Sequence, residues 1–356
     1  MALDETIFLT GFPGFIAGRL VERLAMEGAR FLLLVQPAFM ESARAEAARI
    51  AKETNSPANN FRFVEGDITL EDLGIAPLEL ERARQETTIL FHLAAIYDLT
   101  VKREPAMLVN VAGTRNVNRF ARSLPNLRNY HYVSTCYVAG LRTGVILETE
   151  LRHEAGFRNF YEETKYLAEM EVDALKRELP VTIHRPAVVC GDSRTGETAK
   201  YDGIYYLIHY LRKQPSLFSL VNIGNENVTL NLVPVDFVVE AMAAITKDER
   251  TVGATLQIAD PNPLTTHDLF EAIARTMIGR GSRITVPGKI VRSTLALPFS
   301  RMITGLPHAG VPYFFLNQTY DTTQARAILE ARGIRCPPFT DYVGALIEFV
   351  EQHPKL

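Results

Sequence analysis

The chain has 356 residues, 47% of them hydrophobic and 22% charged, with a formal net charge of −3. This is ordinary globular material, enough for one large domain or two, and the lack of a basic excess argues against a nucleic-acid surface. The three cysteines, Cys136, Cys190 and Cys336, are far apart, and the eight histidines have no His-x-x-x-His or His-Glu-x-x-His spacing; neither a disulfide framework nor a protein-bound metal is expected, and a reducing cytoplasm fits.

In chain order, short apolar runs alternate with helical patterns. Ile7 to Thr10 reads as a first strand, followed by a helix from about Gly14 to Glu27. Phe31 to Val35 is a second strand, Glu41 to Thr54 an Ala/Arg/Glu-rich helix, and Phe61 to Val64 a third strand. Thr88 to Leu93 is a fourth, with a helix over Met107 to Ser123. Asn129 to Ser134 is a fifth, the helix carrying Tyr161 comes next, and Val181 to His184 is a sixth. Strand–helix alternation of this kind predicts an α/β fold, a doubly wound parallel sheet of Rossmann type covered on both faces, with the site at the carboxyl ends of the strands. Beyond Cys190 the pattern loosens. Leu230 to Val235 and Thr255 to Ile258 are expected to return to the main sheet, and residues 261–340 to form a smaller helical lobe. The expected division is a nucleotide-binding core of residues 1–190 plus about 229–260, and a discontinuous C-terminal substrate-binding lobe of about 191–228 plus 261–356.

Thr6 to Leu9 runs straight into glycine and proline, as a strand does and a secretory leader does not. The longest apolar region, Ile290 to Leu316, is broken by Arg292, Pro298, Arg301, Pro307 and Pro312. It cannot span a bilayer and reads as a core or lid segment rather than a membrane-surface helix.

The first strand ends in Thr10-Gly11-Phe12-Pro13-Gly14-Phe15-Ile16-Ala17-Gly18. Glycines between a strand and a helix let the backbone bend sharply and let a pyrophosphate approach the helix N-terminus, where free N–H groups and the helix dipole favour negative charge. NAD sites usually place an acid at the end of the second strand. Here that end is Val35-Gln36-Pro37, with no carboxylate before Glu41, so nothing repels a 2′-phosphate. Arg19 and Arg44 are candidate partners for one, each also readable as a solvated helix residue, and NADP(H) is favoured over NAD(H).

Tyr161-Glu162-Glu163-Thr164-Lys165 places a phenol and an ammonium four residues apart, on one face of a helix. A cation beside the phenol is expected to lower its pKa and equip it for proton exchange with a carbonyl or alcohol.

Taken in order, Thr10-Gly-x-x-Gly14, Gly66-Asp67-Ile68, His92-Leu93-Ala94-Ala95, Asn110-Val-x-Gly-Thr114, Val133-Ser134-Thr135, Tyr161-x-x-x-Lys165 and Arg185-Pro186 resemble the extended short-chain dehydrogenase/reductase superfamily. Within it, Leu73-Gly-Ile, the run from His92 to Asp98, the run from Arg185 to Gly196, Tyr201 to Tyr206 and Val233-Pro-Val-Asp236 are most similar to reductases of fatty acyl-CoA and carrier-bound thioesters. This closer likeness covers roughly residues 5–245. The resemblance implies that Thr10, Gly11, Phe12, Pro13, Gly14, Phe15 and Ile16 hold the pyrophosphate. Asp67 and Ile68 would flank the adenine, Leu93, Ala94 and Ala95 line the dinucleotide cleft, and Pro186, Ala187 and Val188 pack by the nicotinamide. Thr135, with Ser134 as fallback, would bond the substrate carbonyl and Tyr161 would give the proton. Lys165 would bind the nicotinamide ribose and hold the Tyr161 pKa down, and Asn110 would support a relay water. Gln36 departs from the Arg common in acyl-CoA reductases, and the chain looks like a single reductase domain.

Other residues carry competing readings. Cys136 follows Thr135 but reads as a small core hydrophobe rather than a nucleophile, and His92 as a hydrogen-bonded structural histidine rather than a base. Asp192, Ser193 and Arg194 fit either a polar head-group site or a turn. Tyr201, Tyr205, Tyr206 and Tyr210 could line a pocket or fill the lobe core. The expected activity is reduction of an apolar acyl thioester or aldehyde, a small-molecule substrate. The alternatives are a sugar-nucleotide epimerase or dehydratase, a sterol or ketone dehydrogenase, and a dinucleotide sensor without turnover. A homodimer through the helices carrying Asn110 and Tyr161 is a family-level expectation.

Overall fold

The computed structural model describes residues 5–213, 221–286 and 311–355. Its centre is a seven-stranded parallel sheet. In chain order the first half gives β1 (Thr6–Thr10), α1 (Phe15–Ala25), β2 (Arg30–Val35), α2 (Met40–Glu53), β3 (Phe61–Glu65), α3 (Pro77–Glu86) and β4 (Ile89–His92). Then come α4 (Arg103–Ala106), a π-helical stretch over Met107–Gly113, α5 (Thr114–Arg122), β5 (Asn129–Val133), β6 (Gly144–Ile146), α6 (Phe160–Ala174) and β7 (Val181–Pro186). The second half adds β8 (Val188–Cys190), α7 (Ile204–Lys213), β9 (Val221–Asn222), β10 (Leu232–Pro234), α8 (Val235–Thr246), β11 (Thr255–Ile258) and α9 (Thr266–Ile278). It ends with β12 (Ile284–Thr285), β13 (Gln318–Tyr320), α10 (Thr323–Glu330) and α11 (Phe339–Gln352).

The main sheet runs β11-β7-β5-β4-β1-β2-β3. Strands such as Thr6–Thr10 and Asn129–Val133 are buried along their whole length, as a sheet clad on both faces requires. One face packs against α1, α2 and α8 through Leu20, Leu24, Ala43, Ile50, Val238 and Met242. The other packs against α3, α5 and α6 through Leu80, Val117, Phe120, Ala168 and Val172. A third apolar cluster joins α7, α9 and α11, with Leu230, Leu232 and Tyr313. Strand order reverses between β1 and β4, and a crevice at the carboxyl ends of those two strands is where such sheets take a nucleotide.

Two expectations need correction. Thr255–Ile258 joins the main sheet beside β7, but Leu232–Pro234 does not; it pairs in parallel with Val188–Cys190 as a separate two-stranded sheet. The backbone after Pro186 changes partner: Ala187 N donates to Ile258 O in the main sheet (3.0 Å), and Val188 N donates to Asn231 O (3.1 Å). The helix expected over Met107 to Ser123 starts at Arg103 and is π-helical through Gly113. A Cβ on Gly113 would lie 2.8 Å from Ile68 Cδ1, so the close approach of this segment depends on the glycine. Residues 287–310, most of the apolar region beginning at Ile290, lie outside the described residues. Among the described residues no helix is long and apolar enough to cross a membrane.

Candidate active site

The glycine turn sits directly on the end of β4. Gly11 has φ +98, and a Cβ there would lie 2.8 Å from Ala94 N and 3.0 Å from Leu93 C. A Cβ on Gly14 would lie 2.7 Å from Gly11 O, the acceptor of the bond that closes the turn (Gly14 N, 2.8 Å). The Phe12–Pro13 peptide bond within the turn is cis. Gly14 caps α1 without a side chain, and the first turn holds no acidic residue. The helical ladder begins with Gly18 N donating to Gly14 O (2.7 Å), so the N–H groups of Phe15, Ile16 and Ala17 precede it. A pyrophosphate fits this cradle: the backbone is bare where side chains would stand, and the helix end favours an anion.

Thr10 takes another part. Its hydroxyl lies 2.8 Å from His92 Nδ1 and accepts from Ala94 N (3.2 Å). His92 Nε2 meets the Thr114 hydroxyl at 3.0 Å, which itself donates to Asn110 O at 2.6 Å. Thr114 is thereby an acceptor from His92, so the ring carries its proton on Nε2 and receives one from Thr10. Burial pushes the His92 pKa down to about 3, with Lys165 adding to the effect. His92 is a neutral strut that locks the glycine turn to the crevice floor.

At the far end of the crevice, Gln36 Nε2 donates to Asp67 Oδ2 (2.8 Å), and Asp67 Oδ1 accepts from both the backbone and hydroxyl of Thr69. The exposed Arg44 lies over the Phe63 ring, 5.0 Å from its centroid. Arg19, the other phosphate candidate, is taken: it pairs with Asp192 (3.2 Å) and Glu197 (2.5 Å). Ile68 is buried, its carbonyl held by Asn116 Nδ2 at 2.8 Å.

Thr135 and Tyr161 meet where β5 ends and α6 begins. Asn159 caps that helix by accepting from Glu162 N (3.0 Å). The Thr135 hydroxyl is close enough to the Tyr161 phenol to favour its ionised form and accepts from Tyr137 N at 3.2 Å. Tyr161 does not have the lowered pKa expected of it. Burial raises it well above the ordinary phenol range, and the nearby Thr135 hydroxyl only partly offsets this. Lys165 on the same helical face turns elsewhere: Nζ donates to Tyr132 OH (2.9 Å) and Val133 O (2.8 Å). Burial brings the Lys165 pKa down to about 7 against the opposing pull of Glu169. Asn110 is also fully engaged. Its Oδ1 accepts from Ile96 N (2.8 Å) and its Nδ2 donates to the Thr164 hydroxyl (3.0 Å), tying the loop after β4 to α6.

Several expectations resolve into structural roles. Ser134 turns to Glu169 rather than to Tyr161. Cys136 Sγ donates to Arg185 O (3.1 Å), and burial raises its thiol pKa beyond nucleophilic use. Asp192 Oδ1 accepts from the backbone of Arg194 and Thr195, and Ser193 is bonded twice to Asp236, so this segment is a turn. Tyr205 OH accepts from Gly191 N (2.8 Å) and Tyr201 donates to His353 O (2.5 Å). Among the described residues no cluster of His, Cys, Asp or Glu could hold a metal.

Other residues at the site escaped the sequence reading. Tyr97 stands edge-on to Tyr161, ring centroids 5.2 Å apart. Tyr313 donates to the fully buried Glu162 (2.6 Å), accepts from Asn159 Nδ2 (2.8 Å) and packs against Tyr137 at 4.6 Å. No local pattern announces a residue about 150 positions from its partner. Glu169 had a signal, lying four residues beyond Lys165 on the same helical face.

Comparisons with known proteins fit this geometry. The sequence profile described as male sterility protein matches residues 9–242. A Drosophila melanogaster protein, fatty acyl-CoA reductase wat, is 27% identical over 280 residues, covering 68% of this chain and 54% of the relative. The chain thus spans about half of that relative's length. Fatty acyl-CoA reductase 1 of Arabidopsis thaliana is 25% identical over 375 residues, covering 82% and 76%. Among solved structures, the terminal R domain from the myxalamid PKS-NRPS biosynthetic pathway superposes with a TM-score of 0.81 at 25% identity, over 100% of this chain and 92% of that one.

Proposed function

The chain belongs to the male sterility protein family, within the extended short-chain dehydrogenase/reductases, which are NAD(P)-dependent oxidoreductases; on that footing we propose that it reduces an apolar acyl thioester, or the aldehyde derived from it, with NADP(H) favoured over NAD(H). The observation that carries the reading is the glycine cradle shaped for a pyrophosphate, in a fold whose Thr135 hydroxyl acts on the Tyr161 phenol. The fatty acyl-CoA reductases among the relatives support the substrate class.

The nicotinamide cofactor, when bound, supplies a hydride to the carbonyl carbon. The N–H groups of Phe15 to Ala17 would hold its pyrophosphate, Gln36, Asp67 and Arg44 would face the adenosine end, and Leu93 to Ala95 and Pro186 to Val188 would line the cleft. Thr135 and Tyr161 donate to the carbonyl oxygen as negative charge develops there. The raised pKa of Tyr161 keeps the phenol protonated at neutral pH, which suits a donor in the reductive direction. With an aldehyde, the Tyr161 proton completes the alcohol. With a thioester, the carbon–sulfur bond breaks, an aldehyde forms and the thiol leaves with a proton drawn from solvent. Lys165 would give the nicotinamide ribose the Nζ hydrogen left beyond those held by Tyr132 OH and Val133 O, and Asn110 positions the loop after β4. The division into a core of 1–190 plus about 229–260 and a discontinuous lobe, and a homodimer through the helices carrying Asn110 and Tyr161, belong to the same reading.

The test is oxidation of NADPH and NADH, followed by nicotinamide absorbance, against a long-chain acyl-CoA, its aldehyde and a cyclic ketone. Turnover of acyl-CoA by the wild type, with Tyr161→Phe reduced by about 100-fold or more, is expected. Full activity in Tyr161→Phe removes the mechanism, and turnover of the ketone alone removes the substrate class.

A further inference from the structure

Ser134, between the Lys165 acceptor Val133 and the donor Thr135, turns its hydroxyl away from both and gives it to Glu169 Oε2. The other oxygen of Glu169 is held by the fork of Arg185, from Nε at 2.8 Å and Nη2 at 2.5 Å. Arg185 also donates to Glu150 O at 2.9 Å. Side-chain burial is nearly complete, with residue exposures of 4% for Ser134, 0% for Glu169 and 2% for Arg185. The chain spans three elements: the end of β5, helix α6 and strand β7.

Arg185 alone already neutralises Glu169 with two charge-assisted bonds, so charge balance does not require the serine. The backbone of Ser134 is independently secured, its N–H donating to His184 O at 2.7 Å. Lys165 Nζ already ties Val133 O to α6 at 2.8 Å; the Ser134 side-chain bond adds a second tie between strand end and helix, one turn further along. Tyr161, Lys165 and Glu169 follow one another at four-residue intervals along α6, on one face. A bond from residue 134 to residue 169 therefore holds the strand end carrying Thr135 against the face carrying Tyr161, together with the Lys165–Val133 bond.

We propose that Ser134 is a positioning residue: its bond to the Arg185-anchored Glu169 fixes where the Thr135 hydroxyl stands relative to Tyr161. The kinetic side of this inference rests on the reductase reading above; the geometric side does not.

The experiment compares Ser134→Ala, Ser134→Thr and Ser134→Val with the wild type. Thr keeps a hydroxyl and Val is its isostere without one, so the pair separates the bond from the added methyl group. Ser134→Ala and Ser134→Val are expected to lose roughly tenfold in kcat on both thioester and aldehyde, with the Kd for NADPH unchanged within about twofold, and Ser134→Thr to recover most of the loss. Crystal structures of wild type and Ser134→Ala are expected to show the Thr135 Oγ1 to Tyr161 Oη separation widened by about 0.5 Å, the scale at which catalytic geometry is felt. An unchanged separation, or a Ser134→Ala kcat within twofold of wild type, overturns the proposal. So does a parallel loss of NADPH affinity in Ala and Val, which would mark a general effect on the fold. A wild type that reduces no carbonyl sinks the reductase reading, and the crystallographic comparison then decides this one by itself.

Discussion

Replacing Gly11 by alanine puts two separable costs on one atom. The first is conformational: at φ +98 an L-residue with a Cβ is strained by about 1–3 kcal/mol. The second is steric. The new carbon would meet Ala94 N at 2.8 Å and Leu93 C at 3.0 Å, and these are backbone atoms that cannot swing aside. Ala94 N is itself tied to the Thr10 hydroxyl at 3.2 Å, so relief means pulling β4 off the glycine turn, at about 1–3 kcal/mol more. Gly253 provides the control. It has φ +83, and a Cβ there meets nothing within 4 Å, so Gly253→Ala isolates the conformational cost; its N–H pairs with Val181 O at the amino end of the sheet, away from the crevice. At about 2 °C per kcal/mol for a domain of this size, Gly253→Ala is expected to lower Tm by about 2–6 °C and Gly11→Ala by about 4–12 °C. Only Gly11→Ala should weaken dinucleotide affinity, by about tenfold or more. Calorimetric unfolding and fluorescence titration with NADPH read both quantities. Equal Tm losses in the two variants, with unchanged affinity in Gly11→Ala, would refute the claim that this turn is closed against the end of β4.

Lys165 makes a prediction about pH. Its pKa falls from the ordinary lysine value to about 7 in the fold, so between roughly pH 7 and 10 the unfolded chain binds the extra proton. Stability from this group therefore rises across that window, and its burial cost is felt in full below pH 7. Lys165→Met should be catalytically dead yet more stable than wild type at pH 6.5, by at most about 5 kcal/mol at ~1.4 kcal/mol per pKa unit, less the cost of the bonds to Tyr132 and Val133 that it loses. The gain should vanish by pH 10; urea unfolding across the range measures it, and a Met variant less stable than wild type at low pH contradicts the account. At the adenosine end, Arg44→Ala should raise the NADPH Kd about tenfold, ~1.4 kcal/mol, while leaving NADH within twofold. Equal effects on both cofactors in calorimetric titration would remove Arg44 from 2′-phosphate recognition.

Much of this molecule is legible along the chain because the signals are local. Runs such as Phe31 to Val35 are apolar throughout because a sheet covered on both faces buries every side chain, and Gly11 and Gly14 mark the turn because it has room for no other residue. The spacing of Tyr161 and Lys165 is a property of one helix and needs nothing beyond it. What the local pattern leaves open is how a side chain divides its bonds between neighbours from different elements. Lys165 lies on the face of Tyr161, but its proton donors go to Tyr132 and Val133 on β5, and burial rather than the helical pair sets the direction of the phenol's pKa. Leu232–Pro234 has the composition of a sheet strand, and only the change of partner after Pro186 decides that it pairs with β8. Tyr313 reaches Glu162, and Ser134 reaches Glu169, across separations that carry no sequence periodicity. Buried polar groups must each find a partner, and which partner lies within reach is set by the packing of the whole fold.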